Sequence, residues 1–95
     1  MAAHRATRFE GELKSDGSLV LGRVVTVDNG AGVPAGSLVL AWHDDRGEET
    51  TATTKIIGNG EFRGFVDDRA RSVQAHFVPP PGFGECVSEE HQLKQ

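Results

Sequence analysis

The four histidines and the single cysteine are the side chains of this 95-residue sequence with the most chemistry to offer. A zinc site needs imidazole and thiolate ligands at short chain spacing, or brought together from separate strands. His4, His43, His76 and His91 are scattered, and none stands at a ligand spacing from Cys86. His43 and His76 fall on segments that could face each other. Cys86 and His76 could meet across neighbouring strands as a nucleophile and its base. Nothing local would lower the thiol's pKa, since no helix start or basic neighbour adjoins it. Cys86 therefore reads as a small buried hydrophobe and the histidines as ordinary sheet or surface residues. Asp44-Asp45 and Glu48-Glu49 make an acidic turn of the kind calcium favours. The alternating Asp/Asn ligands of an EF-hand loop are missing, so a solvated turn accounts for it. Asp67-Asp68 reads the same way. Gly58-x-Gly60 lies between two extended segments and opens no helix, so it is not a phosphate loop. The expectation is no catalytic residue, no metal and no cofactor.

Contact chemistry is better represented. Phe83 sits between Gly82 and Gly84 after Pro79-Pro80-Pro81. An aromatic on so stiff a loop costs little entropy to immobilise, so it suits an anchor for a partner. The same ring could instead plug the open end of a core. His4, Arg5 and Arg8 make the N-terminal end basic, and Glu85, Glu89 and Glu90 make the far end acidic. These are either two solvated termini or complementary patches that steer association between copies or with a partner. The candidate contact residues are thus Arg5, Arg8, Phe83, Glu89 and Glu90.

The totals limit what these residues can serve. Ninety-five residues make one domain with one modest core. A net charge of −4 argues against nucleic-acid binding, which needs a basic stripe to displace counterions. One cysteine forbids an intrachain disulfide. Met1–Arg8 has no apolar stretch of a signal peptide, and no run approaches the ~20 apolar residues that span a bilayer. The chain is expected to be made in a reducing cytoplasm and to have no membrane partner.

The elements that must hold these residues are short and extended. Thr7–Lys14 alternates weakly, with Phe9, Gly11 and Leu13 on one side, and Ser15-Asp16-Gly17 turns. Leu19–Val27 is nearly continuously apolar and reads as a central strand, with Gly22 marking a bulge or a close approach. Asp28–Gly36 is long enough to join strands that are not hairpin neighbours. Ser37–His43 alternates cleanly, with Leu38, Leu40 and Trp42 on one face, and Trp42 is expected to fill the space between two sheets. Asp44–Gly47 is a hairpin turn, and the threonine-rich Glu48–Ile57 suits an edge or a strand with one wet face. Gly58-Asn59-Gly60 is the strongest local hairpin signal and leads into Glu61–Val66. Ser72–Val78 points Val73, Ala75 and Phe77 one way. Three consecutive prolines end it. Glu85–Leu93 is the last strand, with Val87 and Leu93 as its apolar residues.

Certain motifs then carry a resemblance. They are Val20-Leu21-Gly22-Arg23-Val24-Val25, Gly32-Val33-Pro34-Ala35-Gly36-Ser37-Leu38-Val39-Leu40, Gly60-Glu61-Phe62-Arg63-Gly64, Val73-Gln74-Ala75-His76-Phe77 and Gly82-Phe83-Gly84-Glu85-Cys86-Val87-Ser88. Their order is similar to that of bacterial immunoglobulin-like repeats and of prealbumin-like modules of the carboxypeptidase regulatory type. Those modules run from a G-x-V strand through a G-x-P loop and a G-x-F exit to a final strand containing serine. Such modules serve adhesion, carbohydrate binding, spacing and virion decoration. The isopeptide bond of some adhesin modules would need an Asn or Asp in the last strand, and Glu85–Gln95 has none. The paired histidines, arginine and Tyr-Arg-Gly-Ser tail of prealbumin-like hydroxyisourate hydrolases are not matched by His-Gln-Leu-Lys-Gln in a chain without tyrosine.

The sequence therefore predicts an all-β, immunoglobulin-like β-sandwich of seven to eight mostly antiparallel strands. Residues 1–6 are expected to be a flexible or partner-bound basic arm and 7–95 a single domain. The predicted role is non-enzymatic: a structural or decoration protein of a phage virion, contacting a major capsid or tail protein and possibly itself. The competing expectation is a carbohydrate- or cell-surface-binding module of a secreted protein, using aromatics among Trp42, Phe65 and Phe83. A small hydrolase built on His43, His76 and Cys86 is the third.

Overall fold

Leu38, Leu40 and Trp42 alternate with Val39, Ala41 and His43, and this alternation becomes a strand at the bounds expected from it, Ser37–His43. The computed structural model describes residues 4–93, and among them there are strands, turns and loops but no helix. Nine strands run in chain order: β1 (Thr7–Phe9), β2 (Lys14–Asp16), β3 (Leu19–Thr26), β4 (Ser37–His43), β5 (Glu49–Lys55), β6 (Glu61–Phe65), β7 (Ser72–Val78), β8 (Cys86–Val87) and β9 (His91–Gln92).

They form two antiparallel sheets facing each other, an all-β sandwich. In the first, β3 is central, with β6 on one side and β1 and β2 sharing the other. In the second, β4 lies between β5 and β7, and β8 and β9 share the far side of β7. The long loop after β3 carries the chain from the first sheet to the second, as its length implied.

The core lies between the sheets. Val20 and Val24 of β3 and Phe62 of β6 face Leu38, Leu40 and Trp42 of β4 and Val73, Ala75 and Phe77 of β7, all buried. Burying each large apolar side chain stabilises the fold by roughly 1.5–3 kcal/mol, so this layer is its main source of stability. Trp42 is 6% exposed and spans the space between the sheets. Gly22 answers to a close approach: a Cβ there would sit 2.6 Å from the Phe62 ring and 2.9 Å from Leu13.

Three features depart from the sequence reading. The first and last strands are each broken in two, so nine strands stand where seven to eight are expected. Val87 is exposed rather than in the core, paired with His76, while Leu93 is buried. Gly58-Asn59-Gly60 makes its turn but not a hairpin. Asn59 and Gly60 have φ of 53° and 78°, the two positive values of a type I′ turn. Glu61 N donates to Gly58 O at 2.9 Å. The strands on either side then diverge into different sheets, because β4 and β3 offer longer ladders. What joins β5 to β6 is a side chain: the Thr54 hydroxyl donates to Arg63 O at 2.8 Å.

The turn also clamps β3. Val24 N donates to Gly60 O at 2.8 Å, and the Arg23 guanidinium donates to Asn59 O at 2.9 Å. A Cβ on Gly60 would collide with the Val24 carbonyl as well as straining the turn. Gly60→Ala is expected to cost about 2–4 kcal/mol in urea unfolding. Gly47→Ala, at φ 83° with open space around it, should cost only about 1–2 kcal/mol. Equal losses at the two positions would show that the clamp is not what Gly60 provides.

Candidate functional site

Both broken strands lie along the same seam of the sandwich. Phe9 pairs with Val24 and Lys14 with Leu21, so residues 10–13 bulge against only Gly22 and Arg23 of β3. Val87 pairs with His76 and His91 with Val73, so residues 88–90 bulge against only Gln74 and Ala75 of β7. An extra residue bends a strand and ends its pairing. With one bulge in each sheet, the two edges part and leave a groove of about 810 Å³ between them.

Contacts across the seam close the groove at both ends. At one end, Arg5 N donates to Gly82 O and Gly84 N to Arg5 O, both at 2.9 Å, and the Thr7 hydroxyl donates to Gly84 O at 2.6 Å. At the other, Ser15 Oγ and His91 Nε2 share a hydrogen bond at 3.0 Å. Between them, Phe9 and Leu13 supply an apolar floor, and Arg8, Glu12, Glu89 and Glu90 line the groove. Carboxylates outnumber the guanidinium, so the groove favours a basic or hydrogen-bond-donating partner.

The C-terminal wall is anchored at Ser88, whose carbonyl also accepts from Gln74 Nε2 at 3.0 Å. Ser88 is 6% exposed. Its Oγ accepts from Ala75 N at 2.9 Å and donates to Glu89 O at 3.0 Å, while Ser88 N donates to Ala75 O at 2.8 Å. A side chain thus replaces the carbonyl that the bulge removes from the ladder.

The five sequence-predicted contact residues fall along this one seam. Arg8, Glu89 and Glu90 line the groove. Arg5 and Phe83 meet at its closed end, where the guanidinium lies 5.7 Å from the ring centroid and donates to Asp28 Oδ1 at 3.1 Å. Phe83 is half-buried against the core, so the ring serves as a plug under Arg5. Arg5 and Ala6, expected in the arm, are bonded into the fold, with Ala6 O accepting from Val27 N at 2.9 Å. Met1–Ala3 of that arm, and Lys94 and Gln95 of the domain, lie outside the described residues.

Sequence reasoning missed Asp28, Glu12, Leu13 and Ser88 as parts of this region. The first three are separated along the chain from the residues they join, and only the sheet topology brings them together. Ser88 had a signal, since the resemblance places a serine in the final strand.

The other candidate groups are not assembled. His43 and His76 lie on the outer face of the second sheet, four ladder positions apart, and pair with Glu49 at 3.8 Å and Glu85 at 3.2 Å. Cys86 pairs with Phe77 and packs against the core, away from His76. Burial pushes its thiol pKa up. Asp44 Oδ1 accepts from Arg46 N and Glu48 N, which accounts for the acidic turn. Among the described residues no three His, Cys, Asp or Glu are grouped to hold a metal. Of the three aromatics proposed for carbohydrate, Trp42 is buried and Phe83 is covered by Arg5, while Phe65 is 69% exposed. No protein-family model, curated protein or solved structure matches the chain.

Two outcomes test the region. Ser88→Ala leaves the buried Ala75 N–H without its acceptor and should cost about 1–3 kcal/mol, with faster exchange of that amide. The hydrogen bond from Arg5 holds the Asp28 carboxyl below its ordinary value. The ion pair's contribution is therefore complete above about pH 4 and is lost as pH falls further, through the depressed pKa. In an NMR acid titration the Gly84 amide should shift below that pH in wild type and show no such step in Asp28→Asn.

Proposed function

We propose that this chain is a non-enzymatic structural protein that acts by protein–protein contact within a larger assembly, and that the seam groove is where its partner is held. The setting we propose is a phage virion surface, assembled in the host cytoplasm, with the major capsid or tail protein as partner. The observation that carries the reading is the groove itself. It is an apolar floor rimmed by charge, with hydrogen bonds across the seam at both ends, built on a two-sheet core. Its two edges are too short and too bulged to accept a full added strand. A loop or a basic side chain of the partner fits better. The separation of His43, His76 and Cys86 also favours contact over chemistry. The likeness to immunoglobulin-like and prealbumin-like modules points the same way by analogy of fold.

Neighbouring genes choose the particle for the test, and capsid, portal or tail genes are expected there. The purified chain should then co-sediment saturably with that particle. Glu89→Lys with Glu90→Lys should weaken the binding about tenfold or more, and Arg8→Glu, which makes the groove more acidic, should strengthen it. Absence of binding, or binding indifferent to both changes, would overturn the proposal. So would adhesin or glycoside-hydrolase neighbours together with glycan binding by the chain.

A further inference from the structure

The two sheets have four edges between them, and three are protected. The β1/β2 and β8/β9 edges are short and broken by bulges. On β6 the Arg63 carbonyl is taken by Thr54. The remaining edge, β5, is seven residues long, pairs along its whole length with β4, and carries neither proline nor bulge. Such an edge is a template for another strand.

The backbone phase of β5 is fixed at both ends. Asp44 N donates to Glu48 O at 3.1 Å, and Ile56 N donates to Gly36 O at 3.0 Å. Bonded pairs alternate in an antiparallel ladder, so Thr50, Ala52 and Thr54 bond to β4. The N–H and C=O groups of Glu49, Thr51, Thr53 and Lys55 therefore point outward from the sheet, and all four residues are exposed.

We propose that this edge pairs antiparallel with the same edge of a second copy, about a two-fold axis at Ala52. In that register the outward groups of Glu49 meet those of Lys55 in the other copy, and those of Thr51 meet Thr53. Each pair occurs twice, as an isologous interface requires. Glu opposite Lys and Thr opposite Thr are both favourable cross-strand pairs. The two Ala52 residues fall opposite each other in a non-bonded pair, where side chains approach most closely and a small one is needed. Sliding the strands by two residues either way breaks both Glu–Lys pairs, so charge selects the register. The result is one continuous sheet through both copies. It uses no residue of the groove, so it stands or falls independently of the proposed function.

Sedimentation equilibrium tests it directly. The wild-type chain should pass reversibly from monomer to dimer between about 1 μM and about 1 mM. Glu49→Lys sets Lys against Lys, and Lys55→Glu sets Glu against Glu; each should weaken the dimer about tenfold or more. The double swap Glu49→Lys with Lys55→Glu restores opposite charges and should return the affinity to within about threefold of wild type. Thr51→Pro removes an outward N–H without touching the β4 ladder, and should give a folded monomer. Glu89→Lys with Glu90→Lys should leave the dimer unchanged. A chain that stays monomeric throughout the range would overturn the proposal. So would a dimer that neither single charge change weakens, or a double swap as weak as the singles.

Discussion

The complete pairing of β4 on both sides is the constraint on which the rest of the molecule depends. Every residue from Ser37 to His43 has a partner in β5 and another in β7. With both edges satisfied, the strand cannot slip by one residue without turning Leu38, Leu40 and Trp42 out into water. Those three side chains fix the inner face of the second sheet. That face in turn determines which residues of β3 and β6 must cover it. Val20, Val24 and Phe62 are the answer, and their packing sets the position of the first sheet.

The groove proposed for a partner lies where this regularity is relaxed. The two bulges lie on the same side of the sandwich, one in each sheet, and they are what opens the groove. Each is stabilised locally rather than tolerated. Residues 10–13 press Leu13 onto the bare backbone of Gly22, and residues 88–90 lend Ser88 to the ladder in place of a carbonyl. On the opposite side β5 remains straight, and the Thr54 hydroxyl and the turn at 58–60 connect the sheets there. The molecule thus has one irregular, charged seam and one regular, threonine-rich edge.

The strands were legible because their patterns are local. Alternation in Ser37–His43 and Ser72–Val78 placed six core residues on their correct face. The apolar run in Leu19–Val27 marks a central strand, and the threonines of β5 mark an edge. What was not legible depends on which strands pair. Gly58-Asn59-Gly60 is a hairpin turn by composition, yet the longer ladders available to β5 and β6 pull the strands into different sheets. Val87 alternates as a core residue would, but the bulge at 88–90 separates it from Leu93, and the two no longer share a role. The five contact residues stand out in the sequence by charge and loop stiffness. Their convergence on one seam required knowing that β1 and β8 are cross-sheet neighbours. For Phe83 the sequence leaves anchor and plug open, and the ring packs half-buried against the core with Arg5 over it.

The order of the strands in the sheets also has a consequence for biosynthesis. β3 lacks its β6 partner until residues 61–65 have been made, and β4 lacks its second ladder until residues 72–78 have been made. A nascent chain leaving the ribosome at ~5–20 residues per second therefore carries an apolar β3 and β4 without their covering faces for several seconds. During that interval the β2–β3 and β4–β5 hairpins are the structures that neighbouring segments can form. Completion is cooperative and late, as expected for a topology dominated by distant pairings.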